Sequence, residues 1–289
     1  NTKSIFGLYF YLKKINNLMS NLKIYCSTIR YYKILDKSPS YIIPIGLGDG
    51  NFPNNWETEK VGINISHLNK HYAQLTMYYW IWKNKLRGAN ANDFIGNCEH
   101  RLLWLNDLYA TKQKFSSSSL YGKLLNPNNN IFKNYEIIVP QPIIYKKKSL
   151  FDDFEEVHAK NILNDVISFL PKGEQSLFRN HLKQNHLYIG NMFITKIKYF
   201  EEYCELIFPF VDRCLEYCRQ KNLLNGYQIR LPVFLAERFS SYWMSKFKNK
   251  STLSLARLGN FHLSNKLNTF LNTTKIPFTF HQYPTIYNY

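Results

Sequence analysis

Residues Gly62 to Arg101 read GINISHLNKHYAQLTMYYWIWKNKLRGANANDFIGNCEHR, and two different patterns meet in them. In the first half Leu68, Tyr72, Leu75, Tyr79 and Trp82 recur at spacings of three and four, which places them on one face of a helix. Ser66 stands where a side-chain oxygen can cap its first turn. In the second half Phe94 to Cys98 reads as a buried strand, and Glu99, His100 and Arg101 follow it directly. A strand that delivers charged groups at its C-terminal end, beside a helix, is where open α/β sheets place ligand sites. An amphipathic core helix followed by a polar loop gives the same pattern with no site at all.

Working outward, Leu22 to Ser27 reads as the first strand and Tyr41 to Ile45 as the second. The glycines of Gly46-Leu47-Gly48-Asp49-Gly50 form a loop, a weak phosphate-cradle signal because no helix pattern opens behind them. Tyr135 to Pro140 and Tyr188 to Thr195 read as further strands. Leu150 to Leu170 reads as a helix with Phe154, Val157, Ile162, Val166 and Phe169 on its apolar side. Asp152, Asp153, Glu155 and Glu156 sit in its first turns, where carboxylates suit the helix dipole. Phe200 to Lys221 reads as a long helix and Leu223 to Arg230 as a loop. Strands alternating with helices predict an α/β domain, a mostly parallel sheet with helices on both faces. The expected organisation is a basic, aromatic N-terminal extension over 1–21, one domain over 22–245, and a basic, aromatic tail over 246–289. Met19 is a candidate start, since the domain begins just after it.

The chain has 289 residues, of which 45% are hydrophobic, enough for one large domain with a substantial core. Lys and Arg number 37 against 20 Asp and Glu, a net charge of +17. Such a charge speaks about partners rather than fold: phosphates of a nucleotide-sugar, an anionic membrane surface, or nucleic acid. The Lys146-Lys147-Lys148 run is most simply a solvated face, and it can also meet phosphate or anionic lipid. Five cysteines without a C-x-x-C pair point to a reducing, cytoplasmic setting. No run of 18 apolar residues is present, so no membrane-spanning helix is expected.

Asn64-Ile65-Ser66, Asn69, Tyr72, Leu75-Thr76, Tyr79-Trp80, Trp82-Lys83-Asn84, Gly96 and Arg101 resemble, in order, the signature of a bacterial family. That family, long of unknown function, occurs in capsule and O-antigen gene clusters. It includes galactofuranosyltransferase domains of O-antigen polymerases. The similarity continues through Tyr135 to Pro140, His158, Asn191-Met192-Phe193-Ile194, Tyr203-Cys204, Phe208 and Gly226 to Glu237-Arg238, covering roughly residues 22 to 245. The resemblance implies a GT-A-like fold: a single domain with a mostly parallel sheet flanked by helices and an extra helical or loop segment at the C-terminal side. It implies a hexosyltransferase that moves a sugar, in the first place galactofuranose from UDP-galactofuranose, onto a growing capsule, O-antigen or other surface glycan. The implied partners are a nucleotide-sugar donor and a glycan or lipid-linked glycan acceptor. A basic protein of this kind would sit at the inner face of the cell membrane, touching its anionic surface.

Most GT-A enzymes hold the donor diphosphate through a divalent ion bound by an Asp-x-Asp motif, since hard cations take oxygen ligands. Here Glu99-His100-Arg101 stands at that strand end, where the family has His-Tyr-Arg-Arg. No cofactor is therefore expected, although Glu99 would bring a metal back if it ligates one. Arg101 is the candidate to neutralise the leaving diphosphate through its guanidinium fork. A local ion pair with Glu99 is the structural alternative. Leu102 replaces the family's second Arg, and Ile29 stands where the family often has His. Asn64, Ser66 and Asn69, with Glu99 and His100, are candidates for donor contacts; capping serves the first two equally well. Glu237 is the candidate base for the acceptor hydroxyl, with a Glu237–Arg238 helix pair as the structural alternative. Asn191, His158 and Arg238 are candidates for the acceptor or sugar side. Two other classes stay open: a family member that has lost catalysis and binds glycan or a partner, and a nucleic-acid-binding protein. Scattered basic residues without a known binding motif speak against the second, and no nucleic acid is expected.

Overall fold

The computed structural model describes residues 21–100, 102–105, 121–122, 124–128, 130–140, 142–247, 252–255 and 257–258. Arg101, the N-terminal extension before residue 21 and the chain after residue 258 lie outside the described residues, so the expectations placed on them are neither met nor contradicted.

The strands are β1 (Leu22–Thr28), β2 (Ile42–Gly46), β3 (Glu57–Thr58), β4 (Phe94–Glu99), β5 (Leu103–Trp104), β6 (Ile137–Pro140), β7 (Ile143–Ile144), β8 (His186–Leu187), β9 (Ile194–Lys196), β10 (Thr252–Leu255) and β11 (Arg257–Leu258). The helices are α1 (Asn69–Tyr72), α2 (Leu75–Asn84), α3 (Ile131–Asn134), α4 (Leu150–Val157), α5 (Leu163–Ile167), α6 (Lys172–Leu182), α7 (Ile197–Gln220) and α8 (Leu231–Ser245). Seven strands form the main sheet in the order β10-β6-β9-β4-β1-β2-β3. All pairings in it are parallel except those of β9, which runs antiparallel to both β4 and β6. The N-terminal end of β9 therefore lies at the same edge as the C-terminal ends of β1, β2, β4 and β6. β10 extends the sheet past residue 245, through its pairing with β6.

Period-two alternation sorts each strand between two cores. Tyr25, Ile95, Ile137 and Val139 face one side, where α2, α7 and α8 cover them. Ile24, Cys26, Phe94, Cys98 and Ile138 face the other, with Trp104 and Phe132. Gly96 is fixed by the crossing of β9: a Cβ there would stand 2.5 Å from the Ile194 side chain and 2.8 Å from the Phe193 carbonyl. α7 and α8 pack along one another, and Phe193, Tyr203, Phe239 and Trp243 fill the space between them and the sheet. Burying each such aromatic fully contributes about 1.5–3 kcal/mol.

Three expected elements are interrupted, each by a residue in the left-handed region. The single helix expected over the Ser66–Trp82 pattern is a 3-10 turn (Ser66–Leu68), then α1, then α2, with Ala73 at φ 47° between the last two. Ser66 makes no side-chain cap, because its hydroxyl donates to Asn64 instead. The strand expected over Tyr188–Thr195 is reduced to Ile194–Lys196, because Gly190 (φ 75°) and Asn191 (φ 45°) turn the chain first. The helix expected over Leu150–Leu170 breaks at Asn161 (φ 63°) into α4 and α5. The five cysteines are buried and free. Among the described residues no helix is long and apolar enough to cross a membrane.

Candidate active site

β2 lies on one side of β1 and β4 on the other, so the order reverses at β1. Outside the carboxyl ends of such strands is where open α/β sheets leave a crevice. Glu99 is the last residue of β4 and pairs in register with Ser27 of β1. His100 follows, its backbone N–H donating to the Ser27 carbonyl at 3.2 Å and its ring stacked on Tyr32 at 4.4 Å. Two of the expected donor-side residues thus stand at the switch point.

A second group forms where the glycine loop leaves β2. Glu59 is fully buried; its Oε1 accepts the Gly48 N–H at 2.9 Å, and its Oε2 has no hydrogen-bond partner. Burial pushes its carboxyl above the usual carboxylate range, against the opposing hydrogen bonds of Thr76 and Gly48. Asn69 sits beside it, its Nδ2 donating to Thr76 Oγ1 at 3.0 Å and to the Ala73 carbonyl at 3.2 Å. These bonds hold the α1–α2 break in place. Asn64 works inside its own loop: its Oδ1 accepts from the Ser66 N–H at 3.2 Å and hydroxyl at 2.9 Å, and its Nδ2 donates to the Gly62 carbonyl at 2.9 Å. Asn64 and Ser66 are therefore turn-forming groups in this structure, and neither makes the side-chain helix cap that was the alternative reading.

A third group lies at the N-terminal side of β9. Glu237, on α8, accepts the Gly190 N–H through Oε1 at 2.6 Å and pairs through Oε2 with Arg238 Nη1 at 3.1 Å. Gln74, just past Ala73, donates to the Gly190 carbonyl at 2.8 Å, which ties this group to the Asn69 group. Arg238 is buried, and its Nη2 meets Asp153 Oδ2 at 2.7 Å. Asp153 also accepts from Tyr145 at 3.0 Å and pairs with Lys148 at 3.1 Å. Asn191 is buried; its Oδ1 accepts from Ser240 at 2.6 Å and its carbonyl accepts from Tyr78. Its ordered bonds are internal, and they fix the turn into β9. His158 stacks on Phe234 at 4.2 Å, and burial, reinforced by the Arg238 guanidinium, pushes it down to about 3. It is neutral at neutral pH and cannot serve as a cation.

The structure thus brings Glu237, Arg238, Asn191 and His158 together, joins Asn69 to them through Gln74, and sets Glu99 and His100 at the sheet's switch point. Asp153, Glu59 and Gln74 carried no signal of their own in the sequence. Asp153 reads there as one of several helix-dipole acids, and its partner lies 85 positions away. Among the described residues no group of three or more His, Cys, Asp or Glu gathers where a metal ion could sit.

An apo structure of the WbbM bifunctional glycosyltransferase is similar to this chain with a TM-score of 0.67 at 18% sequence identity. The match covers 82% of this chain and 45% of that one, so the chain spans less than half of that protein's length. The fold is accordingly α/β and GT-A-like, a mostly parallel sheet with flanking helices. No curated protein matches the chain. Residues 23–250 match a family described as a domain of unknown function (DUF4422). That span takes in β1 from its second residue, strands β2 to β9 and the eight described α-helices, and the chain belongs to this family.

Proposed function

We propose that the chain is a glycosyltransferase that moves a sugar from a nucleotide-sugar donor onto a growing surface glycan. UDP-galactofuranose is the proposed donor, and a lipid-linked capsule or O-antigen glycan the proposed acceptor. The observation that carries this reading is the Glu237 carboxylate, held by Gly190 and Arg238 at the same sheet edge as Glu99 and His100. The fold it shares with a bifunctional glycosyltransferase supports it.

In this reading the nucleotide diphosphate lies over the carboxyl ends of β1 and β4. Arg101, carried over from the family signature, is proposed to neutralise it. Glu237 takes the proton of the acceptor hydroxyl as the oxygen attacks the anomeric carbon. The bond to the diphosphate breaks, and the diphosphate leaves with the electron pair. Arg238 holds the carboxylate in one orientation through its Nη1–Oε2 contact. Position matters here, since a base must come within hydrogen-bond reach of the proton it takes. No step is routed through a metal, because the residues at the end of β4 supply no paired acids.

Nucleotide release from a panel of UDP-sugars, with and without oligosaccharide acceptor, tests the reading. Acceptor-stimulated release from one donor is expected. Absence of release from every donor, in protein that is folded and monodisperse, would remove it.

A further inference from the structure

Tyr227 and Tyr31 are the exposed tyrosines among the described residues, each at 39%. Tyr31 is tied by its hydroxyl to Asp36. Tyr227 is held differently. It lies in the 3-10 turn Gly226–Arg230 that leads into α8, and its ring stacks on Phe234, with centroids 5.0 Å apart and planes 30° apart. His158 closes the group, 4.2 Å from Phe234 and nearly parallel to Tyr227, at 12° and 6.1 Å. Phe234 is 92% buried, so the inner face of Tyr227 is occupied and its exposed area belongs to the rest of the ring.

The helix repeat sets what stands beside this ring. Phe234, Glu237 and Arg238 are at i, i+3 and i+4 of α8 and share one face. The Glu237 carboxylate and the Arg230 and Arg238 guanidiniums lie within electrostatic range of the Tyr227 hydroxyl, whose pKa is raised chiefly by burial. Val157, 46% exposed, is tied to the same turn, its carbonyl accepting from Gln228 at 3.3 Å. An aromatic face backed by two further rings is stiff, so binding on it orders little that is mobile. The ring it stacks on, Phe234, is one helical turn from the Glu237 carboxylate, and the exposed Arg230 lies close enough to meet hydroxyls. A sugar ring has the matching chemistry: an apolar C–H face and a polar rim. A phosphate or a bare lipid chain lacks one or the other.

We propose that the outward face of Tyr227 is an acceptor subsite that stacks a neutral sugar ring and brings one of its hydroxyls toward Glu237. The inference rests on the glycosyltransferase reading for the role of Glu237, and on the ring geometry alone for sugar binding. It makes the acceptor's sugar, rather than its lipid, the part that is recognised.

Saturation-transfer NMR on the full chain tests it, with methyl glycosides of galactose, glucose and N-acetylglucosamine as probes and no donor present. At least one glycoside should bind, with the strongest saturation on its ring C–H protons. Tyr227→Ala should weaken that binding tenfold or more, while Tyr227→Phe, which keeps the ring, should stay within about threefold. Tyr227→Phe, which keeps the stack on Phe234, is expected to hold the wild-type unfolding midpoint, and both variants the wild-type circular dichroism. Binding that is absent, unchanged in Tyr227→Ala, or lost equally in Tyr227→Phe would overturn the subsite. Donor turnover is read separately. If no UDP-sugar is turned over but the glycoside still depends on the Tyr227 ring, the transferase reading falls and the sugar site stands. If turnover occurs and the acceptor KM ignores Tyr227→Ala, the subsite falls and the transferase reading stands.

Discussion

The Asp153 carboxylate and the Arg238 guanidinium meet between α4 and α8, Oδ2 to Nη2 at 2.7 Å, with side-chain exposures of 8% and 3%. Arg238 reaches Glu237 with its other terminal nitrogen, so a residue 85 positions away in sequence orients the candidate base through one intermediary. The Arg238 guanidinium also lies over the Phe154 ring at 5.6 Å, which leaves it little room to turn.

Removing one partner of a buried ion pair leaves the other charged and uncompensated, at a cost of about 3–5 kcal/mol. Asp153→Ala should lower unfolding stability by roughly that amount in denaturant titrations. The double variant Asp153→Ala with Arg238→Met should recover part of the loss, since the stranded guanidinium is gone and Glu237, which loses its cation, keeps the Gly190 N–H. A double variant as unstable as the single one would show that Asp153 is held for Tyr145 and Lys148 instead.

Glu237→Gln keeps an oxygen that can accept the Gly190 N–H and removes the basic group. General-base assistance contributes about 10²–10⁴-fold, so sugar transfer to acceptor should fall by that order with the fold intact. Donor binding, followed by thermal shift with the nucleotide sugar, should change little. Transfer at the wild-type rate would assign the Glu237–Arg238 pair to structure alone.

His158 gives a pH dependence of known sign. Its folded pKa of about 3 lies below the ordinary 6.5, so between those values the unfolded chain binds a proton that the folded chain does not. The stability it permits is complete above about pH 6.5 and is lost as pH falls, at up to about 1.4 kcal/mol per pH unit. Urea titrations at pH 7 and pH 5 should show a smaller loss in His158→Phe than in the wild type. Equal losses in both would mean that the His158 ring is reached by water.

Glu99 decides between two arrangements of the donor site. With no paired acids at the end of β4, transfer is expected to survive EDTA, and Glu99→Gln to retain most activity. If both treatments abolish transfer and added Mn²⁺ or Mg²⁺ restores the wild type, Glu99 is a metal ligand. Arg101→Ala should lose about 10²–10³-fold if its guanidinium meets the diphosphate, and Arg101→Lys should recover only part.

The sequence by itself determined the elements whose signal is local. Strands β1, β2, β4 and β6 are apolar, β-rich runs long enough to read without partners, and α7 shows its apolar stripe across its whole length. The placement of Glu99 at a strand end beside a helix was legible for the same reason. Only the tertiary structure decided where those elements stop and whom their polar residues meet. Ala73 takes a positive φ that its residue type disfavours, so nothing nearby in sequence announces that break, whereas Asn161 and Gly190-Asn191 are types that tolerate positive φ but do not by themselves require it. Around Ala73 and Asn191 the conformation is held from outside, by Asn69, Gln74, Tyr78 and Ser240. The same holds for the candidate site. Asp153 among its neighbouring acids, and Tyr227 among 22 tyrosines, carry no distinguishing local pattern. Their roles come from partners that the sheet and α8 bring close, because a salt bridge or a ring stack depends on distance in space and leaves no periodicity in the chain.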